Sequence, residues 1–306
     1  MSAKNAELGA GEEMMSRCAS CGVAGSDDVK LMKCTACHLV RYCGVKCQKD
    51  HWKKHKKECR KRAAELLDEL LFKLPESSHF GDCPICLMPL PLDKEKSIMT
   101  PCCNKSICYG CDYANQKRYT IEGRCEMTCP FCRHPAPNSQ VEAEKIVMKR
   151  VEANDPAALR QVGQHRKREG DYKGAFEYFT KAAELGDAAA HSILSFMYGN
   201  GEGVEKDEHK EMYHAEQAAI GGHVGARNFL GCHEWNNGRV DRAVKHFIIA
   251  AKLGQDVSME QVKKSYQAGL VSKDDFASTL RAHHAAVDAM KSPDREAAEA
   301  AARTMS

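Results

Sequence analysis

The sequence predicts two small modules built around clustered cysteines, followed by an all-α solenoid of helical repeats. Three observations lead to this fold class. First, 16 of the 17 cysteines lie between Cys18 and Cys132. Second, many of these cysteines form close pairs. Third, residues 156–255 contain three similar segments with paired alanines and helical spacing of apolar residues.

The chain has 306 residues, enough for two or three domains, and 43% of them are apolar. It contains no run of about 18 apolar residues that could span a bilayer. The segment MSAKNAELGAGEEMMS lacks the basic start and apolar stretch of a signal peptide. We therefore expect a cytoplasmic or nuclear protein in a reducing compartment, with no membrane partner, and a disordered N-terminus over residues 1–17.

In a reducing compartment, repeated CxxC pairs favour zinc over disulfides. The formal net charge of +3 counts every cysteine as neutral, whereas zinc binds thiolates. If fifteen cysteines bind four Zn²⁺, the net charge becomes −4, because fifteen negative charges outweigh eight positive ones. The overall composition therefore does not support a generally nucleic-acid-binding protein.

Between residues 18 and 59, the candidate metal ligands form four close pairs, which is enough for two tetrahedral sites. The first two pairs have CxxC spacing, in which a tight turn directs both sulfurs at one metal. The other two have CxxxC and HxxxC spacing, which places both ligands on one face of a helix. The pairs are Cys18 and Cys21, Cys34 and Cys37, Cys43 and Cys47, and His55 and Cys59. So short a segment needs the metal to supply its folding energy.

The motifs CASC, CTAC and YCGVKCQKDHWKKHKKEC resemble the MYND zinc finger over residues 18–59. Spacing alone leaves the pairing of the ligands open, but the resemblance implies two interleaved sites. One zinc would be held by Cys18, Cys21, Cys43 and Cys47, and the other by Cys34, Cys37, His55 and Cys59. The resemblance also implies a module that binds proline-containing peptides.

The stretch from Lys46 to Arg62 carries nine basic and two acidic residues. We interpret it as the solvated face of a zinc-bound helix whose charge is partly offset by nearby thiolates; a patch for nucleic acid or an acidic partner is the alternative. His51 is expected to be a surface residue, because His55 completes the ligand set. Trp52 is expected to lie in the core rather than in a peptide groove.

Residues 60–78 are predicted to be a linker helix. In residues 63–74, AAELLDELLFKL, the leucines share one helical face, and Pro75 ends the helix. We expect this face to pack one zinc module against the next, with a free partner-binding helix as the alternative. The leucines are Leu66, Leu67, Leu70, Leu71 and Leu74.

A second group of eight cysteines lies in CPIC, TPCCNKSICYGC and CPFCR, and it resembles an all-cysteine RING finger over residues 83–133. Cys102 and Cys103 are adjacent, which departs from RING spacing and demands a strained backbone if both bind one metal. Asn104 or Cys125 could therefore replace one of them as a ligand, and the sequence leaves this choice open. The resemblance implies two zinc sites, one formed by Cys83, Cys86, Cys108 and Cys111 and the other by Cys102, Cys103, Cys129 and Cys132.

A RING finger has no nucleophile, and the resemblance implies that it binds a ubiquitin-conjugating enzyme charged with ubiquitin. Ile85 and Pro130 match the apolar positions that dock this enzyme. Arg133 matches the residue that contacts enzyme and ubiquitin together. The alternatives are that Ile85 is a packing residue, Pro130 a turn residue and Arg133 an ordinary surface residue. RING fingers usually have an aromatic residue in the enzyme-binding groove, between the sixth and seventh ligands. This segment has no tryptophan there, so the candidates are Tyr113 and Tyr119.

After a linker over residues 134–155, three segments of two helices each resemble Sel1-like repeats, which are related to the tetratricopeptide repeat, across residues 156–255. Each second helix ends in AAxxG, in which alanines allow close helix approach and glycine ends the helix. The alanine pairs are Ala182 and Ala183, Ala218 and Ala219, and Ala250 and Ala251. Residues 256–306 are predicted to be capping helices and a frayed helical tail.

The remaining cysteines and histidines are not predicted to be functional. We expect Cys125 and Cys232 to be buried or spare thiols rather than nucleophiles. No ligand spacing joins His214, His223, His233 and the adjacent pair His283 and His284. We expect these to lie on ordinary polar faces.

The sequence therefore predicts two zinc-stabilised cross-brace modules followed by an all-α helical-repeat solenoid, with four Zn²⁺ in total. The leading functional hypothesis is a RING-type ubiquitin ligase that recruits a substrate or adaptor through its repeats and its MYND-like finger. The alternatives are a non-enzymatic scaffold or adaptor and a nuclear co-regulator that contacts nucleic acid. The sequence contains no cofactor-binding pattern of a SET-type methyltransferase.

Overall fold

The computed structural model describes residues 16–123 and 127–305, and the chain divides into two compact units between Lys73 and Leu74. The expected disorder of residues 1–17 falls outside the described residues except for Ser16 and Arg17. No described helix is both long enough and apolar enough to cross a membrane.

The first unit consists of one small hairpin and one long helix. Strands β1 (Met32–Lys33) and β2 (Arg41–Tyr42) pair antiparallel, and α1 (Val45–Leu71) follows. The helix predicted over residues 60–78 is therefore the C-terminal part of α1, and it ends at Leu71 rather than at Pro75. Its leucines do not form one buried face, since Leu71 is buried whereas Leu70 and Leu74 are 55% and 47% exposed.

The second unit begins with the second cysteine group. A 3₁₀ turn (Lys94–Lys96) leads into strands β3 (Ser97–Met99) and β4 (Ser106–Cys108), which pair antiparallel, and α2 (Tyr109–Glu122) follows directly. Its small core contains two metal-ligand candidates beside two aliphatic side chains. The core members are Cys83, Leu90, Ile107 and Cys108.

The repeats form antiparallel helix pairs, α4 with α5, α6 with α7 and α8 with α9, and two further helices cover the last pair. Residues 134–155, predicted to be a linker, contain a helix that packs on α4. The helices are α3 (Gln140–Glu152), α4 (Pro156–Arg168), α5 (Tyr172–Glu184), α6 (Ala188–Asn200), α7 (Glu208–Ile220), α8 (Val224–Asn236), α9 (Val240–Lys252), α10 (Asp256–Gln267), α11 (Lys273–Ala289) and α12 (Pro293–Met305).

Local sequence signals explain where the repeat helices begin and end. The side chains of Asp155, Asp171, Asp187 and Asp207 accept hydrogen bonds from free backbone N–H groups in the first turns of α4 to α7. The predicted AAxxG ends are also present: all six paired alanines are buried, and the final glycines have φ between 83° and 93°, a conformation that favours glycine.

In the first and third repeats, a glycine on the first helix faces a phenylalanine on the second helix. In the first repeat, a Cβ added at Gly163 would lie 2.8 Å from Cε1 of the buried Phe179, and in the third a Cβ at Gly231 would lie 2.5 Å from Cε1 of Phe247. The second repeat has Ser195 and Ala215 at the equivalent positions, counted from the helix N-caps. Each glycine therefore makes room for a phenylalanine ring.

The second cysteine group and the repeats belong to the same compact unit. The backbone N–H of His79 donates to the carbonyl of Gly222 at 3.1 Å. The tail predicted to be a frayed helix is α12, which packs against α2, and Ala298 within it is buried. The expectation of a frayed end was wrong, because the helix has a partner that is remote in sequence.

Candidate metal centres

The structure brings the eight candidate ligands of residues 18–59 together as two groups of four. In each group, all four ligand atoms lie within 4.8 Å of one another. The Sγ atoms of Cys43 and Cys47 are 3.5 Å apart, and Cys37 Sγ lies 3.2 Å from Nε2 of His55. The groups are Cys18, Cys21, Cys43 and Cys47, and Cys34, Cys37, His55 and Cys59.

The eight cysteines of residues 83–132 are likewise grouped in two interleaved sets, in the arrangement implied by the RING resemblance. Cys83 and Cys111 have Sγ atoms 3.8 Å apart, and those of Cys103 and Cys129 are 3.9 Å apart. The sets are Cys83, Cys86, Cys108 and Cys111, and Cys102, Cys103, Cys129 and Cys132.

These distances and donors fit zinc. A disulfide would bring two sulfurs to about 2.05 Å, whereas a tetrahedral zinc with bonds of about 2.3 Å separates its sulfurs by about 3.8 Å. The 3.5 to 3.9 Å separations above agree with the second geometry. Each group supplies four ligands, which is a complete tetrahedral shell and leaves no open position for a substrate or a water molecule.

The turn of each CxxC pair prepares its first cysteine to bind a metal as a thiolate. Burial raises the pKa of these thiols, but hydrogen bonds from backbone N–H groups lower the pKa by more, to about 6 for Cys18 and Cys34 and about 7 for Cys83 and Cys129. These N–H groups belong to the turn and, for Cys18 and Cys83, also to Cys43 and Cys108 respectively. The turns need a left-handed residue after the second cysteine. Gly22, His38, Leu87 and Arg133 occupy these positions with φ between 57° and 76°.

A fifth turn of the same kind explains how adjacent cysteines reach one group. The N–H of Asn104 donates to the carbonyl of Thr100 at 2.8 Å, as the N–H of Arg133 does to that of Cys129 at 2.9 Å. Thr100 therefore occupies the place of a first cysteine, and its Oγ1 lies 3.0 Å from Cys103 Sγ. Asn104 is the left-handed residue, with φ of 50°, which asparagine tolerates better than most residues.

Asn104 does not replace a cysteine in the described structure. With its side-chain oxygen turned toward them, it accepts from the backbone N–H of Ala158 and from Nε of Arg150, both at 3.3 Å. It thus joins the second cysteine group to α3 and α4. The other alternative ligand, Cys125, lies outside the described residues.

The residues predicted to dock a conjugating enzyme lie at the surface on two CxxC turns, residues 83–87 and residues 129–133. Ile85 is 39% exposed, Pro130 is half-buried and Arg133 is exposed. Tyr119, one candidate for the groove aromatic, is half-buried with its hydroxyl on Oγ1 of Thr128, so it fastens α2 to the last turn. Tyr113 is also half-buried.

Two aromatic residues of α1 differ from the sequence interpretation. Trp52, expected in the core, is 42% exposed. His51, expected at the surface, is half-buried, and its Nδ1 lies 3.1 Å from the hydroxyl of the buried Tyr42. The basic residues fit the predicted solvated face, since every lysine from Lys46 to Lys61 is exposed.

Three of the histidines singled out in the sequence, His214, His223 and His283, occupy structural positions. His223 Nδ1 accepts from the N–H of Ala226 and caps α8, and the buried His283 has Nδ1 3.0 Å from the carbonyl of Ala251. His214 packs its ring on Tyr198, His233 is half-buried and His284 is exposed.

Cys232 is exposed rather than buried. Within residues 16–123 and 127–305, groups suited to a metal are confined to the four sets above.

Comparison with known families settles two parts of the chain. Residues 18–59 match the model of the MYND finger. Residues 157–187, 188–223 and 239–255 match the model of the Sel1 repeat. The chain carries a MYND finger and Sel1 repeats. These matched ranges do not reach residues 83–133, so the RING-type interpretation of that segment stays a prediction.

Similar curated proteins include three methyltransferases. Histone-lysine N-methyltransferase SMYD3 of Homo sapiens is 36% identical over 59 residues, covering 16% of this chain and 14% of the enzyme. Histone-lysine N-methyltransferase ASHR1 of Arabidopsis thaliana is 47% identical over 45 residues, covering 15% and 8%. SMYD3 of Mus musculus is 50% identical over 30 residues, covering 10% and 7%. The chain thus spans less than one sixth of these relatives.

Two solved structures are similar to the chain. One is c5321, a protective antigen of uropathogenic Escherichia coli strains with an SLR fold, at 26% identity and a TM-score of 0.40, covering 47% of this chain and 33% of that one. The other is a Sel1 repeat protein from Oxalobacter formigenes, at 20% identity and a TM-score of 0.43, covering 64% and 87%. An N-terminal zinc-binding MYND region is followed here by a helical Sel1-repeat solenoid.

Proposed function

We propose that the chain is a non-enzymatic adaptor that binds protein partners through its Sel1 repeats and its MYND finger. The observation that carries this proposal is a set of exposed aromatic side chains on the first helices of the repeats. Phe196 on α6 is 57% exposed, and Phe229 on α8 is 38% exposed. Large apolar side chains on a solvated helix face are typical of protein-binding surfaces.

The position of these residues within the repeat places them on one face. Phe229 lies six residues after the N-cap His223, and Ile193 lies six residues after the N-cap Asp187. Equivalent positions in stacked repeats form a continuous stripe along a solenoid. Phe196 lies one turn further along α6, and Lys167 Nζ of the preceding repeat is 5.0 Å from its ring centre. The proposed surface is apolar around Phe196 and Phe229, and Lys167 at its border also pairs with Glu202 at 2.6 Å.

The metal chemistry is that of structural modules, which an adaptor and a RING-type ligase share. In this proposal the chain holds four Zn²⁺, two in each cysteine module, through the four groups of ligands described above. Zinc at these groups supplies folding energy and fixes the modules, because four protein ligands close each site. The partly exposed side chain of Trp52 on α1 would contact proline-containing peptides. A reducing cytosol or nucleus suits thiolate ligands.

Substitution of the exposed aromatics is expected to remove partners without affecting the fold. We expect the Phe196→Ser and Phe229→Ser double variant to lose most of the proteins that quantitative cross-linking mass spectrometry identifies with the wild type in cells. Tyr213→Ser is the matched control, because Tyr213 is 54% exposed on α7, a second helix. An unchanged set of partners in the double variant contradicts the proposed surface.

A RING-type ubiquitin ligase is the second candidate, favoured by the interleaved cysteine sets and by the exposure of Ile85 and Arg133. A ligase should discharge ubiquitin from a charged conjugating enzyme. Arg133→Ala should then slow discharge while conjugating-enzyme binding stays near the wild-type level, since a contact made in the reactive pose affects the rate. Ile85→Ala should weaken docking itself by about 1 to 3 kcal/mol.

A panel of conjugating enzymes, tested with the full chain for single-turnover discharge, separates the two candidates. An adaptor leaves discharge at background for the wild type and for both variants. Discharge above background that depends on Arg133 would replace the adaptor proposal with the ligase. Zinc content measured on the same samples verifies that each variant retains its metal.

A further inference from the structure

A buried arginine from the far end of the chain lies against the first metal group of the second cysteine module. Arg295, on α12, is 6% exposed. Its Nη2 lies 3.4 Å from the Sγ of Cys86, across a separation of 209 residues. Cys86 belongs to the group formed by Cys83, Cys86, Cys108 and Cys111, so a side chain outside the module contacts one of its candidate ligands.

The remaining hydrogen bonds hold the guanidinium in this place. Nη1 donates to the carbonyl of Pro89 at 2.8 Å and to that of Met290 at 2.7 Å, and Nη2 donates to the carbonyl of Met88 at 3.4 Å. Met88 and Pro89 belong to the turn that follows Cys86. Arg295 therefore binds the thiol and the backbone of the turn that presents it.

The backbone of α12 also approaches the module too closely for any residue larger than glycine at one point. A Cβ added at Gly110, between Cys108 and Cys111, would lie 2.8 Å from the backbone N of Arg295. Lys96 and Glu299 form an ion pair at 2.8 Å one turn further along α12. The contact is thus a packed helix interface.

A metal bound by four thiolates explains why an arginine would be buried here. Zn²⁺ with four cysteine thiolates has a net charge of about −2, and hydrogen bonds from outside the shell stabilise such ligands. A buried guanidinium needs both an opposite charge and hydrogen-bond acceptors. This group of thiolates supplies the charge, and Cys86 and three carbonyls supply acceptors for the two terminal nitrogens, Nη1 and Nη2.

We propose that Arg295 is an outer-shell positioning residue of the zinc site formed by Cys83, Cys86, Cys108 and Cys111, so that α12 and the metal stabilise each other. The zinc is retained strongly only while α12 is docked. Conversely, loss of this zinc removes the negative charge and the turn that hold Arg295, and α12 is released. The inference depends on zinc in the second module and is independent of whether the chain is an adaptor or a ligase.

Zinc release from the full chain tests the first half of this coupling. Arg295→Met keeps the apolar stem but removes the donors, and we expect one of the four zinc ions to transfer to 4-(2-pyridylazo)resorcinol about 10 to 100 times faster. Arg303→Met is the matched control, because Arg303 lies on the same helix with its side chain 83% exposed. Release at the wild-type rate in Arg295→Met overturns the proposal.

A spectroscopic readout distinguishes this role from a loss of packing alone. In protein loaded with Co²⁺, a hydrogen bond to a thiolate lowers the energy of its sulfur electrons, so Arg295→Met should shift part of the sulfur-to-cobalt absorption to longer wavelength. Arg303→Met should leave the spectrum unchanged. An unshifted spectrum in Arg295→Met overturns the assignment of Arg295 to the metal site.

Hydrogen exchange tests the reverse direction. Cys86→Ser should increase amide exchange over residues 293–305, whereas Cys21→Ser, which damages a metal group of the other compact unit, should not. Equal protection of α12 in Cys86→Ser and in the wild type contradicts the coupling. So does elemental analysis that finds two zinc ions per chain, rather than four, in the wild type.

Discussion

Substitution of one buried ligand, Cys34→Ser, is expected to unfold the first compact unit and to lower the zinc content of the purified chain below four. The physical reason is the composition of this unit's core. Its buried members are four metal-ligand cysteines together with Val40 and Tyr42, so little apolar surface stabilises the fold without metal. Structural zinc supplies about 10 to 16 kcal/mol in comparable small modules.

Elemental analysis and limited proteolysis measure this effect. Wild-type protein should contain four zinc ions and resist cleavage between residues 18 and 71, whereas Cys34→Ser should lose at least one zinc ion and be cut there. Cys232→Ser is the control, because Cys232 is exposed and lies outside the four groups. A wild-type content of two would show that the second cysteine module is misinterpreted, and full zinc content in Cys34→Ser would contradict the ligand assignment.

The second large effect is expected in the solenoid, where Phe179→Ala should lower the free energy of unfolding by about 3 to 5 kcal/mol. Phe179 is fully buried and belongs to the core shared by α4, α5 and α6. Truncation leaves a cavity beside Gly163, because glycine has no side chain that can fill it. Urea unfolding followed by circular dichroism at 222 nm measures the change.

The second repeat provides the matched control for this prediction. It has Ser195 and Ala215 where the first repeat has Gly163 and Phe179. Adding Gly163→Ser to Phe179→Ala should therefore recover part of the lost stability, because a serine side chain occupies space that the ring has left. Phe196→Ala, which changes an exposed ring on α6, should cost much less. Additive destabilisation by the two substitutions would contradict the proposed size complementarity.

The metal groups could be predicted because their spacing is local. A CxxC turn or an HxxxC helix face brings two ligands together within four residues, so the residue types and their intervals indicate the donors. The MYND resemblance then supplied the pairing for residues 18–59. The roles of the adjacent Cys102 and Cys103 as ligands were ambiguous. Both lie in a turn that begins at Thr100, and a threonine in that position gives no sign of a metal site.

The repeat pattern was equally visible, because identical packing demands recur in each unit. Paired alanines and a following glycine are required wherever two helices approach closely and the second one ends. The helix in residues 134–155 was missed because it has no counterpart among the repeats. The leucine pattern around Leu70 predicted a single buried face, but periodicity shows only that the residues share a face, and Leu70 and Leu74 lie exposed.

By itself, the sequence indicated most donors of the four metal groups and the recurring helix pairs that end in AAxxG, since each depends on residues close together in the chain. The tertiary structure alone decided which remote side chains complete those elements. Asn104 joins its turn to α3 and α4, and Arg295 reaches Cys86 across 209 residues. Such contacts arise from the packing of whole helices, and no local interval in the sequence records them.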